Sequence, residues 1–261
     1  MQNFHSPSEL PDVRRQKILL LLERDGKVMA SELSQHFAVS EDTIRRDLAE
    51  LSQAGLLQRV HGGALPRPKD TGKDYFTRIA ETDEVKRHLA ELAARRIGQG
   101  QIVLFDSGST TLQIAQSLPT GLSFTAVTCS PMIAMTLAEH QGVTVILAGG
   151  TLNPATMAVG GHEAVRLIQG IKADLLFTGV CAIHPQVGIS CSRYEELAVK
   201  QALLDSASHV VAVTTADKLG AVEPFVVGPC ARLQTMFTEQ QVMGDIEAYR
   251  RLGIEVVQAQ I

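Results

Sequence analysis

Three runs of apolar residues at helical spacing open the chain. Val13 to Arg24 carries Ile18, Leu19, Leu21 and Leu22 and meets Asp25-Gly26, a usual helix terminator. Ala30 to Phe37 sets Leu33 and Phe37 four apart on one face. Ser40 then offers an N-cap oxygen to a third helix, where Ile44, Leu48 and Leu51 follow the i, i+4, i+7 spacing of one buried face before Gly55 ends it. Leu56 to Leu65 alternates loosely about Gly62-Gly63, as a two-stranded hairpin does.

Helix, short helix, tight turn, third helix and hairpin is the order of a winged helix-turn-helix, expected here over residues 1–65. Pro66 to Thr77, with Pro66, Pro68, Gly72 and several charges, reads as a linker, placed at residues 66–78. Beyond it, helical and strand patterns alternate. Helix Asp83 to Ile97 precedes strand Ile102 to Phe105, helix Ser109 to Leu118 precedes Phe124 to Val127, and helix Met132 to His140 precedes Val143 to Leu147. Helix Glu163 to Gln169 leads to strand Leu175 to Thr178, and helix Glu195 to Ser206 to Val210 to Val213. Strands near Phe225 to Val227 and Leu233 to Phe237, a helix from Val242 to Leu252 and strand Glu255 to Val257 complete the series. Such βα units predict an α/β effector domain over residues 79–261, with a Rossmann-like parallel sheet covered by helices on both faces.

Composition narrows the class. With 261 residues the chain suffices for about two domains, and 45% hydrophobic with 20% charged residues excludes a wholly disordered protein. No apolar run approaches the ~18 residues of a membrane span, and Met1 to Asp12 is polar and acidic, so neither a membrane protein nor a secreted one is expected. Cys129, Cys181, Cys191 and Cys230 form no C-x-x-C pair and lie in or beside apolar segments, as reduced thiols of a cytoplasmic protein do. The eight histidines are dispersed, so neither a metal nor another cofactor is expected.

A net charge of −4 argues against nucleic-acid binding, but its distribution qualifies the total. The first 69 residues hold ten Lys and Arg against nine Asp and Glu, and Gln58 to Lys69 carries Arg59, Arg67 and Lys69 with no acid. If Ile44, Leu48 and Leu51 face the core, Asp42, Arg46 and Ala49 point away and Thr43 and Arg45 lie on the flanks. Thr43, Arg45 and Arg46 are then offered to a major groove, where Arg suits guanine edges and phosphates. Equally, Glu41 with Arg45 and Asp42 with Arg46 are i, i+4 pairs that stabilise a solvated helix. Arg59 and His61 beside Gly62-Gly63 move the balance toward DNA, because a wing on the backbone needs positive charge.

The second domain has its own loop chemistry. Asp106-Ser107-Gly108-Ser109-Thr110-Thr111 joins a strand to a helix, so Gly108 allows a tight turn and N–H and hydroxyl groups gather at a helix N-terminus. This is either a phosphate site or an ordinary βα turn with a Ser/Thr cap. Thr128 and Ser130 after the next strand, and Gly149-Gly150 after the one beyond, share the carboxyl edge where parallel sheets bind ligands. Glu196 and Lys200 are either an i, i+4 pair or site residues, and Lys218 either closes over an anion or is solvated. With Asp106, Glu196, Lys200 and Lys218 near a phosphate loop, acid/base isomerisation of a phosphosugar is the rival to ligand sensing.

Ser40-Glu41-Asp42-Thr43-Ile44-Arg45-Arg46-Asp47-Leu48, followed by Gly55-Leu56-Leu57 and His61-Gly62-Gly63-Ala64, resembles the DNA-binding signature of the DeoR family of bacterial sugar-metabolism repressors. The loops at Asp106 to Thr111, Thr128 to Ser130, Gly149-Gly150, Glu195-Glu196 with Lys200, and Lys218-Leu219-Gly220 are similar to the family's effector domain. The resemblance implies a fold related to ribose-5-phosphate isomerase and acyl-CoA transferases. It further implies a cytoplasmic homo-oligomer, dimer or tetramer, that binds operator DNA through Ser40, Thr43, Arg45, Arg46, Arg59 and His61. A phosphorylated sugar at the effector residues Asp106, Gly108, Ser109, Thr110, Thr111, Thr128, Ser130, Gly149, Gly150, Glu196, Lys200 and Lys218 would release that DNA. The chain departs from the family pattern at Met29, where a Ser or Thr cap is usual, and at Cys129, where Asn is common. Thr215-Ala216-Asp217-Lys218 likewise replaces Asp-x-Ser-Lys. A thiol binds sugar hydroxyls poorly, and Cys129 fits better as a small buried residue.

Overall fold

The computed structural model describes residues 10–67, 72–81, 84–240 and 245–259. The expected helix starts at Asp83 and Val242 lie outside the described residues.

The N-terminal unit comprises α1 (Pro11–Asp25), β1 (Val28–Met29), α2 (Ala30–Phe37), α3 (Glu41–Gln53), β2 (Leu57–Val60) and β3 (Gly63–Pro66). Pro11 starts α1 and Gly26 ends it at φ +69°, its N–H closing on the Leu22 carbonyl. Ser40 Oγ caps α3 by accepting the Thr43 N–H at 3.2 Å. Ile18, Leu22, Leu33, Ile44, Leu48 and Leu57 are buried together between the helices and the sheet. Asp47, on the inner side of α3, takes two bonds from Arg14 of α1, 2.6 and 3.1 Å from Nε and Nη2. This buried fork ties α1 to α3. The sheet runs β1-β3-β2, antiparallel throughout. It depends on Gly63, where a Cβ would stand 2.0 Å from the Val28 carbonyl oxygen.

The segment expected as linker carries a short helix, α4 (Tyr75–Ala80), capped by Asp74 Oδ1 on the Thr77 N–H at 2.8 Å. Tyr75 is wholly buried in the second domain's core, and its N–H donates to the Ala155 carbonyl at 2.9 Å. After α5 (Glu84–Ala94) come β4 (Ile102–Phe105), α6 (Ser109–Gln116), β5 (Phe124–Thr128), α7 (Pro131–Ala138) and β6 (Val143–Leu147). A small hairpin, β7 (Thr151–Asn153) and β8 (Ala158–Gly160), leads to α8 (His162–Gln169) and β9 (Ala173–Thr178). Then follow β10 (Ala182–His184), β11 (Gly188–Cys191), α9 (Tyr194–Ser206), β12 (Ala207–Val213) and β13 (Phe225–Gly228). Last come β14 (Thr235–Glu239), α10 (Ile246–Arg251) and β15 (Glu255–Ala259).

Seven parallel strands form the main sheet in the order β15-β14-β12-β9-β4-β5-β6. Strand alternation supplies both faces: Val103 and Phe105 enter one apolar cluster while Leu104 enters the other. The strand near Phe225, expected within this series, instead pairs antiparallel with β11 in a separate β10-β11-β13 sheet. Only a single 3-10 turn, Ala216–Lys218, lies between β12 and β13, too little chain for a parallel crossover. The chain runs outward from β4 to β6 and then returns to the other side of β4 as β9. The crevice beyond the carboxyl ends of β4 and β9 is therefore the topological switch point of the sheet, the place where such sheets bind ligands.

Candidate functional site

On the N-terminal unit, α3 and the β2–β3 hairpin present the candidate DNA surface. Ser40 Oγ lies 2.9 Å from Thr43 Oγ1, so both belong to the cap of α3. Arg45 Nη2 is 3.0 Å from Glu41 Oε2 and Arg46 Nη2 is 2.8 Å from Asp42 Oδ2, all four side chains being exposed. An exposed pair of this kind contributes about 0.3–0.5 kcal/mol, so either arginine exchanges its carboxylate for a phosphate or a guanine edge at little cost. Arg59 on β2 and His61 in the hairpin turn are exposed as well. Val60 pairs with Gly63, which leaves His61-Gly62 as the turn, and Gly62 takes φ +80°, where L residues are strained.

In the second domain, the loops after β4 and β9 meet over one carboxylate. Asp106 Oδ1 accepts the Ser107 N–H at 2.8 Å, while Oδ2 accepts the Gly179 N–H at 2.8 Å and Lys200 Nζ at 2.6 Å. Lys200, reaching in from α9, also donates to the Gly179 carbonyl at 3.1 Å. A Cβ on Gly179 would stand 2.5 Å from the Ser107 carbonyl oxygen, so glycine is required where the loops touch. Burial opposes a charge on Lys200, but the negative charges of Asp106 and Glu196 outweigh it and hold the ammonium above the usual lysine pKa.

A cleft opens over this pair. Ser107, Gly108, Ser109, Thr110 and Thr111 form one wall, and among the described residues the lining cations Lys73, Arg78, Arg193, Lys200 and Lys218 face two lining acids, Glu196 and Glu223. Gly108, at φ +153°, gives α6 no side-chain cap, and Thr111 Oγ1 is turned back to the Gly108 carbonyl at 3.0 Å. The first N–H groups of α6 thus face a positively charged cleft, an arrangement suited to a phosphate or another anion. An adjoining cavity of about 420 Å³ shares Ser107, Thr156, Glu196 and Lys200 with the cleft.

Of the effector candidates, Gly108, Ser109, Thr110, Thr111, Glu196, Lys200 and Lys218 line the cleft, and Asp106 lines the cavity beside it. Thr128 and Ser130 are buried and line neither space. Thr128 Oγ1 donates to the Phe105 carbonyl at 2.8 Å and accepts the Ser130 N–H at 3.1 Å, and Ser130 caps α7. Cys129 between them lines the cavity as a buried thiol. Burial, and then the charge of Asp106, push its pKa up to about 12. Gly149 and Gly150 are exposed and line neither space. Gly150 takes φ +142° where a Cβ would stand 2.3 Å from the Gly160 carbonyl oxygen, which lets the β7–β8 hairpin close. Sequence reasoning missed Lys73, Arg78, Arg193, Thr156 and Glu223. Arg193 beside the Glu195-Glu196 start of α9 carried a usable signal, whereas Thr156 carried none.

Fold and site together define a winged helix-turn-helix joined to a ligand-sensing α/β domain. Residues 14–67 match the DeoR-like helix-turn-helix domain and residues 81–240 the DeoR C terminal sensor domain. The chain belongs to the DeoR family of transcriptional regulators. It is 36% identical over 214 residues to the HTH-type transcriptional regulator GlpR of Haloferax volcanii, covering 81% of this chain and 83% of that one. The glycerol-3-phosphate regulon repressor of Escherichia coli K12 is 29% identical over 87% of this chain and 90% of its own. Among solved structures, ribose 5 phosphate isomerase A from Neisseria gonorrhoeae aligns at a TM-score of 0.39 and 16% identity, over 52% of this chain and 53% of that one. Among the described residues no helix is long and apolar enough to cross a membrane.

Proposed function

We propose that the protein is a repressor of carbohydrate catabolic genes that binds operator DNA through α3 and the hairpin wing and is released by a phosphorylated sugar. The observation that carries this reading is the uncapped start of α6 beside the buried Lys200 at the sheet's switch point. A ligand shifts such an equilibrium only by binding the free and DNA-bound forms unequally. The name of the E. coli relative, a glycerol-3-phosphate regulon repressor, agrees with a phosphate ester as the signal.

Ligand occupancy, not turnover, is the output of this reading. Asp106 spends its carboxylate on three donors and Lys200 is held as a charged ammonium, so neither is poised to move a proton. One small winged unit with little excess charge binds DNA weakly. Operator affinity therefore calls for two or more copies joined as a dimer or tetramer. The test begins by mapping genomic sites occupied by the protein and titrating a labelled operator with the purified chain. Addition of sugar phosphates linked to the flanking genes should release the operator, and unphosphorylated sugars should not. Release by neither, or steady conversion of the sugar phosphate, would refute the proposal.

A further inference from the structure

Thr156 carries a hydroxyl that the fold leaves unused. The residue is 3% exposed, and its Oγ1 is buried without a hydrogen-bond partner. An orphaned buried hydroxyl destabilises the protein that keeps it, so its retention asks for a use. Thr156 lines both the cleft and the adjoining cavity, and the turn that carries it is tightly held. Its N–H donates to the Asn153 carbonyl at 3.3 Å, Asn153 Oδ1 accepts the Ala155 N–H at 2.9 Å, and the Ala155 carbonyl accepts the Tyr75 N–H. The next residue, Met157, adopts φ +49°, a left-handed conformation that a non-glycine residue keeps only when its surroundings impose it.

Charge divides the two spaces. Among the described residues, cations dominate the cleft, whereas in the cavity Asp106, Glu195 and Glu196 face Lys200. A phosphate is drawn to α6 and repelled from the cavity. The cavity instead offers Glu195 and Glu196 as hydroxyl acceptors beside an apolar wall that includes Pro154, Val159 and Val199. Such a lining fits the neutral, hydroxyl-bearing body of a sugar, with its C–H face on the wall.

We infer that Thr156 is the specificity residue of the effector site, hydrogen-bonding a ligand hydroxyl where a phosphate end in the cleft passes into a polyhydroxy body in the cavity. This rests on the reading of Gly108 to Thr111 as the phosphate cradle. The ligand class is a phosphorylated sugar or polyol with a free hydroxyl close to its phosphate-bearing carbon. Calorimetry on the full chain tests it, with inorganic phosphate and a panel of triose, pentose and hexose phosphates as probes. In Thr156→Val, which keeps the shape and loses only the hydroxyl, inorganic phosphate should bind as in wild type while the tightest sugar phosphate weakens at least tenfold. Thr156→Ser should restore most of that loss, and the melting temperature of Thr156→Val should not fall. Equal sugar-phosphate affinity in Thr156→Val, or a panel in which nothing binds more tightly than inorganic phosphate, would overturn the inference. Undiminished phosphate binding in Ser109→Asp would instead remove the cradle, and the inference with it.

Discussion

Lys200 Nζ stands 2.6 Å from Asp106 Oδ2 with both side chains almost wholly out of solvent, although 94 positions separate them in the chain. The pair joins α9 to the loop after β4 and puts a buried cation in the lining of the cleft. Removing one partner leaves a buried charge uncompensated, which typically costs about 3–5 kcal/mol. Asp106 keeps two N–H donors when Lys200 is lost. Lys200→Met should therefore destabilise the protein by about 3 kcal/mol, the lower end of that range. Asp106→Asn combined with Lys200→Met should recover much of the loss. Urea unfolding of the two variants checks both statements, and a double variant no more stable than the single one would contradict the pairing argument.

Arg45→Ala or Arg46→Ala should each weaken operator binding by about 1–3 kcal/mol. Stability should fall only by the few tenths of a kcal/mol that an exposed i, i+4 pair supplies. Fluorescence anisotropy on a labelled operator measures the first and thermal unfolding the second. Unchanged affinity in both variants would leave these residues as helix ion pairs alone.

Ser109→Asp puts a fixed negative charge on the first turn of α6, where helix N–H groups accommodate it without unfolding. The variant should bind operator as wild type does and fail to release it as sugar phosphate is added. A normal release curve would show that the effector lies elsewhere.

His184 supplies a pH dependence. Its Nδ1 accepts the N–H groups of Gln186 and Val187 at 3.2 and 3.3 Å, which requires the neutral ring. Burial, and then the charge of Lys27, lower its pKa from the ordinary 6.5. A histidine whose folded-state pKa is depressed binds its proton more weakly folded than unfolded. Its contribution is thus present above about pH 6.5 and is lost as the pH falls below that value. The urea midpoint should drop on acidification from about pH 7.5 to about pH 5.5, and His184→Asn should flatten that slope. An identical slope in the variant would assign the pH dependence to other groups.

Much of the architecture was legible because its signals are local. Gly26, Ser40 and Gly62 mark element ends through their own backbone and cap geometry, and Ile44, Leu48 and Leu51 keep helical spacing whatever lies opposite them. Two of the misses are long-range. Tyr75 looks like a linker aromatic until Ala155 accepts its N–H, eighty positions on. Asp47 reads as one more charge on a charged helix, and only the fold of α1 against α3 brings Arg14 to it. Thr128 and Ser130 sit at the expected edge of the sheet, but their hydroxyls are drawn into neighbouring backbone, and for Ser130 the Pro131 that follows was a local sign of a helix cap.

An ion-pair contact joins the N-terminal unit to the second domain. Arg67, the residue that follows the wing strand β3, lies 3.5 Å from Glu223 in the lining of the cleft, and its Nη1 stands 3.6 Å from where a Cβ on Gly55, between α3 and the wing, would lie. An anion bound beside Glu223 would compete for that guanidinium, and occupation of the cleft would then be felt at the base of the wing. Coupling of this kind runs both ways with equal strength. If a sugar phosphate in the cleft loosens the operator, a copy seated on its operator holds that sugar phosphate more loosely than a free copy, by the same factor. The sensitivity of such a switch would then depend on how many operators are present as well as on the ligand.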